Sequence, residues 1–419
     1  MKKPLLSLDQ AVETVLETAA SLRDSKPVAL RTVSIWEASG LVLAEDVRAD
    51  RPLPPFDKSM MDGYAFRFDD IAGVPASEKK VLDVVGEVAA GGSFSRPLAA
   101  GEAVAIMTGA PLPEGADTVQ IVEVCERDDD TVIVSGGLNR GANVTPLGGQ
   151  AIAGDIVVER GRVIESLTAG VLASVGKTHV DVYRRPRVTV IATGDELVNV
   201  EETPEASQIR DSNRRTLMAL AQSEWCRVVD GGIIRDERDA LRSAIREGLE
   251  GDVLVLSGGV SAGTYDYVRE CLEAEGVGIL FHQVAIKPGK PVLFGRTAKT
   301  LVFGLPGNPV SSFVTAAILL TPALRVLGRR PDPRSWELRV PLTEGTIPAT
   351  GKRTTFHPGV VVRGAGPMGL GVASRTWEGS ADHISYARSN VLIRRDADSD
   401  AASPGDVVSI VLPGSLVQW

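Results

Sequence analysis

From residue 188 to the helix expected after Pro309, short apolar runs alternate with helical patterns, and no other feature of this 419-residue chain restricts its fold as strongly. Strand-like runs fall at 188–192, 228–231, 253–256 and 301–304, with helices expected from Ser212, from Glu237, after Tyr265 and from Pro309. That order predicts a largely parallel sheet with helices on both faces. Ligands of such sheets sit at the carboxyl ends of the strands. Thr193-Gly194-Asp195-Glu196, Ser257-Gly258-Gly259 and Gly304-Leu305-Pro306-Gly307 all fall at that edge.

The flanking segments have other textures. Ser7 and Gln10 form a capping box ahead of Leu8, Ala11, Val12, Val15, Leu16, Ala19 and Leu22, which predicts a helix over 8–23. Between 28 and 182 the pattern is of short β-type runs broken by glycine and proline, at 103–107, 118–124 and 131–134. Pro52, Pro54 and Pro55 on one side and the glycines at 136, 137, 141, 148 and 149 on the other bracket an inserted lobe. Beyond Pro333, alternating runs at 338–342, 391–393 and 407–412 predict a small all-β module.

Length alone calls for two to four domains. A net charge of −9 argues against a general nucleic-acid or anionic-membrane binder, so any anionic ligand must be held by local cations. Cys125, Cys226 and Cys271 have neither metal spacing nor the numbers for a disulfide framework, which suggests a reducing, cytoplasmic setting. No continuous apolar run of about 18 residues and no evident signal sequence is present, so no membrane association is expected.

Ile286-Lys287-Pro288-Gly289-Lys290-Pro291 sets two lysines on a loop stiffened by proline, close in sequence to a helix whose free N–H groups begin near Asn308. Such a loop is either a pair of solvated cations or an anion pocket. Ser257-Gly258-Gly259-Val260-Ser261 is either a tight turn or a nest of N–H groups around a phosphate. Glu196, Asp236 and Asp266 read either as capping and solvated acids or as oxygen ligands for Mg²⁺ shared with substrate phosphates. Charges of both signs in one cleft suit phosphoryl chemistry. The four histidines show no metal spacing. Around Met60, Met61 and Tyr64 the acids Asp57 and Asp62 interleave with apolar residues in a way that packing alone does not require.

These residues together resemble one family. PPFDKSMMDGYA (54–65), IMTGAPLPEGADTV (106–119), TGDEL (193–197), DSNR (211–214), GGIIRD (231–236), SGGVSAGTYDY (257–267), KPGKP (287–291) and GLPGNPVS (304–311) resemble, in order, the molybdopterin molybdenumtransferases. These are the MoeA proteins, related to the E domains of gephyrin and its plant homologue. A weaker likeness, Gly379-Ser380-Ala381-Asp382 before Asn390-Val391-Leu392-Ile393, reaches the last module.

The resemblance implies a multidomain α/β plus β fold. Its parts are a β-rich N-terminal region over 1–183 with a lobe at about 50–141, a three-layer α/β/α molybdopterin-binding domain over 184–330, and a small C-terminal β-barrel over 331–419. It implies a homodimer with each cleft completed by the other subunit's lobe. The implied reaction inserts molybdate into adenylylated molybdopterin, with Mg²⁺-dependent release of AMP. Residue by residue, it implies metal-holding roles for Glu196, Asp236 and Asp266, and catalytic roles for these, Lys287, Asp62 and Thr108, the last two acting across the dimer. It implies substrate binding by Ser257, Gly258, Gly259, Ser261, Lys287, Lys290, Pro306, Gly307, Asn308 and Ser380. Other cofactor-biosynthesis proteins are expected partners.

Three positions depart from the family pattern. Gln150 stands where a carboxylate is usual, Gln283 where a base is usual, and Pro358, beside His357, where an arginine is frequent. These losses leave two further readings beside the active transferase: a catalytically weak molybdopterin-binding paralogue or scaffold, and an enzyme preferring tungstate.

Overall fold

The computed structural model describes residues 5–259, 267–364 and 369–412. The helix Leu8–Ser25 carries the expected capping box, with Ser7 and Gln10 each accepting from the other's backbone N–H. Its buried face, Leu8, Ala11, Val15, Ala19 and Leu22, enters the same core as the sheet strands and the long helix of residues 309–327.

That sheet has six strands, in the order Arg227–Ile234, Arg187–Thr193, Val253–Ser257, Leu301–Leu305, Pro291–Arg296, Gly278–Gln283. The first four are parallel, as the alternation predicts. Pro291–Arg296 and Gly278–Gln283 instead run antiparallel at one edge. They are joined directly through the Lys287–Lys290 loop, and without a crossover helix the second strand must return beside the first. One face of the sheet packs on Leu8–Ser25, Asn213–Ser223 and the 309–327 helix. The other packs on Arg238–Gly248 and Tyr267–Ala274. The 309–327 helix contains a π turn at Ala316–Leu320. By length and a mean hydropathy of 1.7 it could cross a membrane, but 83% of that stretch is buried inside the protein.

Among the described residues of the lobe, a six-stranded sheet runs in the order Thr118–Ile121, Gly63–Phe66, Glu102–Ile106, Lys79–Val88, Thr131–Ser135, Glu126–Asp128. The run expected over 118–124 is strand only to Ile121, then a 3₁₀ turn. The C-terminal strands Trp336–Glu344, Thr354–Arg363, Leu370–Ser374, Val391–Arg395 and Val407–Leu412 close on themselves through the pairing of Thr354–Arg363 with Val391–Arg395, so the module is a barrel. A two-residue strand, Ile286–Lys287, pairs with Thr354 and Thr355 and ties the lysine loop to that barrel.

Candidate active site

A cleft of about 910 Å³ opens at the carboxyl ends of the parallel strands, between the sheet and the barrel. It gathers Glu196, Asp236, Ser257, Gly258, Gly259, Lys287, Lys290, Pro306, Gly307, Asn308 and Ser380. Ser261 and Asp266 lie outside the described residues.

The glycine turn follows from the strand before it. Val253–Ser257 is buried along its length, and Gly258 and Gly259 both take positive φ, +96° and +67°. A Cβ on Gly258 would stand 2.3 Å from the Thr193 carbonyl oxygen, and one on Gly259 would stand 2.4 Å from the Val268 side chain. Only glycine fits a turn that combines positive φ with such contacts. Asn213, at the start of its helix, donates to Ser257 Oγ (2.9 Å) and to the Gly307 carbonyl (2.7 Å), clamping two strand-end turns together.

The lysine loop is held from below. Gly289 has φ +108°, and a Cβ there would lie 2.4 Å from Thr315 Cγ2 on the long helix. Lys287 and Lys290 are exposed, and neither makes an ion pair among the described residues. On the barrel side, Asn308 donates its side-chain N–H to Ser380 Oγ (2.8 Å), and Val310 N–H donates to the Ser380 carbonyl (3.0 Å). Ser380 Oγ thereby accepts one bond while its own proton is left to donate into the cleft.

Opposite the lysines stand the acids. Asp236 N–H donates to Asp195 Oδ1 (3.2 Å). The Asp236 carboxyl is raised above the usual range, first by partial desolvation, then by Asp195, and further by Glu196, while the Thr193 hydroxyl works the other way. Glu196 folds back over Gly194, where a Cβ would meet its carboxylate oxygen at 2.6 Å. Acids that disfavour the charge on Asp236 are relieved by a divalent cation, and all-oxygen donors are of the type Mg²⁺ takes. Among the described residues no group of three acids, histidines or cysteines is arranged to hold a metal ion.

Asp62 and Thr108 do not line this cleft. They pair on the lobe, Asp62 Oδ1 accepting from Thr108 N–H (2.6 Å) and Oγ1 (2.8 Å), and both bonds lower the Asp62 pKa. Gln150, Gln283 and Pro358 do not line the cleft either. Arg353, five residues before Pro358, does line it and brings a guanidinium from the same stretch of barrel. Sequence reasoning does not single out Arg353, Asp195, Asn213 or Trp377. For Asn213 and Asp195 the signal is there, inside the DSNR and TGDEL motifs, whereas Arg353 and Trp377 reach the cleft only through closure of the barrel.

Comparisons with known proteins agree with this geometry. Residues 6–176 match the MoeA N-terminal region (domain I and II), and residues 189–326 match the probable molybdopterin binding domain. The fold and cleft thus define a multidomain protein built around a molybdopterin-binding type of α/β domain. The molybdopterin molybdenumtransferase of Haemophilus influenzae is 33% identical over 409 residues, 97% of this chain and 98% of that protein. That of a Nostoc species is 35% identical over 300 residues, 71% of this chain and 69% of that one. The chain belongs to the molybdopterin molybdenumtransferase family. Two crystal structures of the molybdopterin biosynthesis MoeA protein from Pyrococcus horikoshii superpose with TM-scores of 0.81 and 0.75, at 25% and 28% identity, covering 98% and 99% of this chain and 100% of each of those.

Proposed function

We propose that this chain is a transferase of molybdenum cofactor biosynthesis that inserts molybdate into adenylylated molybdopterin and releases AMP in the cleft between sheet and barrel. The observation that carries this reading is the opposition, within one cleft, of two lysines that make no ion pair among the described residues and the Asp236–Glu196 pair, with a glycine turn beside them. Lys287 and Lys290 supply positive charge, and Ser380 a hydroxyl proton, that replace part of the hydration of a tetrahedral dianion. The Gly258 N–H donates to the Leu305 carbonyl (3.1 Å), and the Gly259 N–H beside it is the turn's donor to a phosphate oxygen. Glu196 and Asp236, joined by Asp266, would hold Mg²⁺, which when bound offsets charge on the phosphate being cleaved.

Asp62 and Thr108 act, in this reading, on the cleft of a second copy of the chain. Their neighbours Met60, Met61 and Met107 are each about half exposed, an apolar setting suited to an interface. The cytoplasm is the expected compartment, with other cofactor-biosynthesis proteins as partners. The scaffold alternative is not favoured, because the likeness to transferases runs over nearly the full chain and the cleft keeps its lysines and acids. Incubation with adenylylated molybdopterin, Mg²⁺ and either molybdate or tungstate tests the reading. AMP release that depends on molybdate is the expected result, and AMP release only with tungstate would change the metal assignment.

A further inference from the structure

Residues 30–183, which carry the lobe, leave the rest of the chain through 26–29 and return through 184–186, beside the paired strands Leu30–Ser34 and His179–Tyr183. Among the described residues no hydrogen bond or ion pair joins 30–183 to the sheet domain or the barrel. Nor is a buried apolar cluster shared: those within 30–183 and those that flank the sheet have no residue in common. What packs across the junction is aromatic. The Trp225 ring lies so close to Gly40 that a Cβ there would stand 2.1 Å from it, and Arg329 lies over the Tyr183 ring at 5.0 Å. Two bodies joined without a common apolar core turn about their junction unless something holds it.

Asp252 sits where it can hold both linkers. It precedes the Val253–Ser257 strand, and its backbone is fixed in the sheet domain, the N–H donating to the Arg187 carbonyl (2.8 Å) and the carbonyl accepting from Leu301 N–H (2.9 Å). Its carboxylate reaches out of that domain. Oδ1 accepts from Lys26 Nζ (2.9 Å) on the outgoing linker and from Arg184 Nη2 (3.0 Å) on the returning one. Oδ2 faces Arg184 Nη1 at 2.9 Å and accepts from Arg187 N–H at 2.8 Å. The side chain is 11% exposed. Burial works against its charge, yet Arg184, the Arg187 N–H and Lys26 together keep the carboxyl below its usual range. The linkers are tied to each other as well, through Arg184 N–H and the Ala29 carbonyl (2.9 Å).

We propose that the two linkers form a hinge and that the Asp252 carboxylate is its latch, fixing the angle at which the lobe is carried relative to the cleft. A few residues between packed bodies suffice to absorb such a rotation. Because Asp62 and Thr108 ride on the lobe, the latch also sets where they are presented to a second copy. That consequence rests on the reading of the cleft given above, whereas the hinge does not.

Asp252→Asn keeps the shape and removes the charge that Lys26 and Arg184 share. Pulsed electron paramagnetic resonance on the full chain, with spin labels at Lys80→Cys on the lobe and Ala274→Cys on the sheet domain, reads the angle as a distance. Burial raises the pKa of all three native thiols, Cys125 to about 11 and Cys226 to about 12, so at neutral pH labels go to the introduced cysteines. Dilution with unlabelled protein leaves only distances within one chain. A single narrow distribution is expected of the parent protein and a broad or displaced one of Asp252→Asn. A second pair within the sheet domain, Glu247→Cys and Ala274→Cys, is expected to read the same in both. Arg184→Gln, which takes two bonds from the linker side, is expected to broaden the lobe distance in the same way and keeps the test open should Asp252→Asn fail to fold. An unchanged lobe distance in either variant overturns the latch, and broadening of the pair within the sheet domain overturns it too, since the aspartate would then be holding that domain's own structure. Loss of AMP release in the wild type would remove the proposed reaction and leave these distances untouched.

Discussion

Asp236 in the cleft and buried His357 in the barrel both titrate away from their usual range. Asp236 ionises with more difficulty than a free carboxyl because part of its hydration is gone and Asp195 and Glu196 repel the charge. A carboxyl with a raised folded pKa favours the unfolded state as pH rises through the interval between the two pKa values, and that cost persists at neutral pH. Asp236→Asn is therefore expected to melt at or above the wild-type temperature at pH 7 while losing Mg²⁺-dependent AMP release. A lower melting temperature together with intact release would remove Asp236 from the chemistry.

His357 carries the opposite kind of shift. Burial, then the charges of Lys287 and Arg395, depress its pKa to about 4. The unfolded chain takes up that proton from about pH 6.5 downward while the native protein does not, so stability falls as pH drops from about 6.5 toward 4. The loss amounts to roughly 3 kcal/mol at most. Denaturant midpoints measured across that window are expected to decline less steeply in His357→Gln, and an unchanged slope would mean that other groups govern acid sensitivity.

At the scale of single elements, the lysine loop depends on a glycine and the strand-end turns on a buried ion pair. Gly289→Ala would combine a left-handed φ with a collision against Thr315, a change expected to cost about 1–3 kcal/mol. Because the loop positions both lysines, the same variant is expected to weaken molybdate binding, which equilibrium dialysis can measure. Asp211 accepts from Arg214 through both backbone N–H (3.1 Å) and Nε (2.8 Å), and the guanidinium continues to Asp230 at 2.6 Å. Asp211→Ala leaves the buried arginine short of its partner and is expected to cost about 3 kcal/mol in chemical denaturation. A change below about 0.5 kcal/mol would show that Asp230 alone suffices.

The same scale shows what the chain makes legible in advance. The two central parallel strands, Val253–Ser257 and Leu301–Leu305, are buried along their whole length and are followed by glycine-bearing turns, a pattern with few alternatives, and the glycine turn and lysine loop meet in space as their motifs suggest. Gly278–Gln283 is hidden because only Phe281 along it is buried, so neither alternation nor a continuous apolar run marks it. Arg353 and Trp377 are hidden for another reason: their place in the cleft is set by barrel closure, a non-local event that leaves no local spacing to read.

In the molecule as a whole, one chain places the lysines, the acids and the glycine turn around a single cleft but leaves Asp62 and Thr108 elsewhere on the lobe. If a second copy brings them in, two inactive variants can complement each other. Mixing Asp62→Ala with Asp236→Ala chains under subunit exchange is expected to restore about a quarter of wild-type AMP release, since half of random pairs are mixed and each holds one intact cleft. No recovery in exchanged mixtures would confine catalysis to a single chain.

The most direct test of the cleft's chemistry is a single-turnover reaction with purified protein, adenylylated molybdopterin, Mg²⁺ and molybdate, following AMP and pterin-bound molybdenum together. One AMP released for each molybdenum inserted, with both lost in Lys287→Ala, is the result expected of a dianion held by the lysine loop beside the adenylate. AMP release that proceeds equally without molybdate, or unchanged in Lys287→Ala, would contradict it.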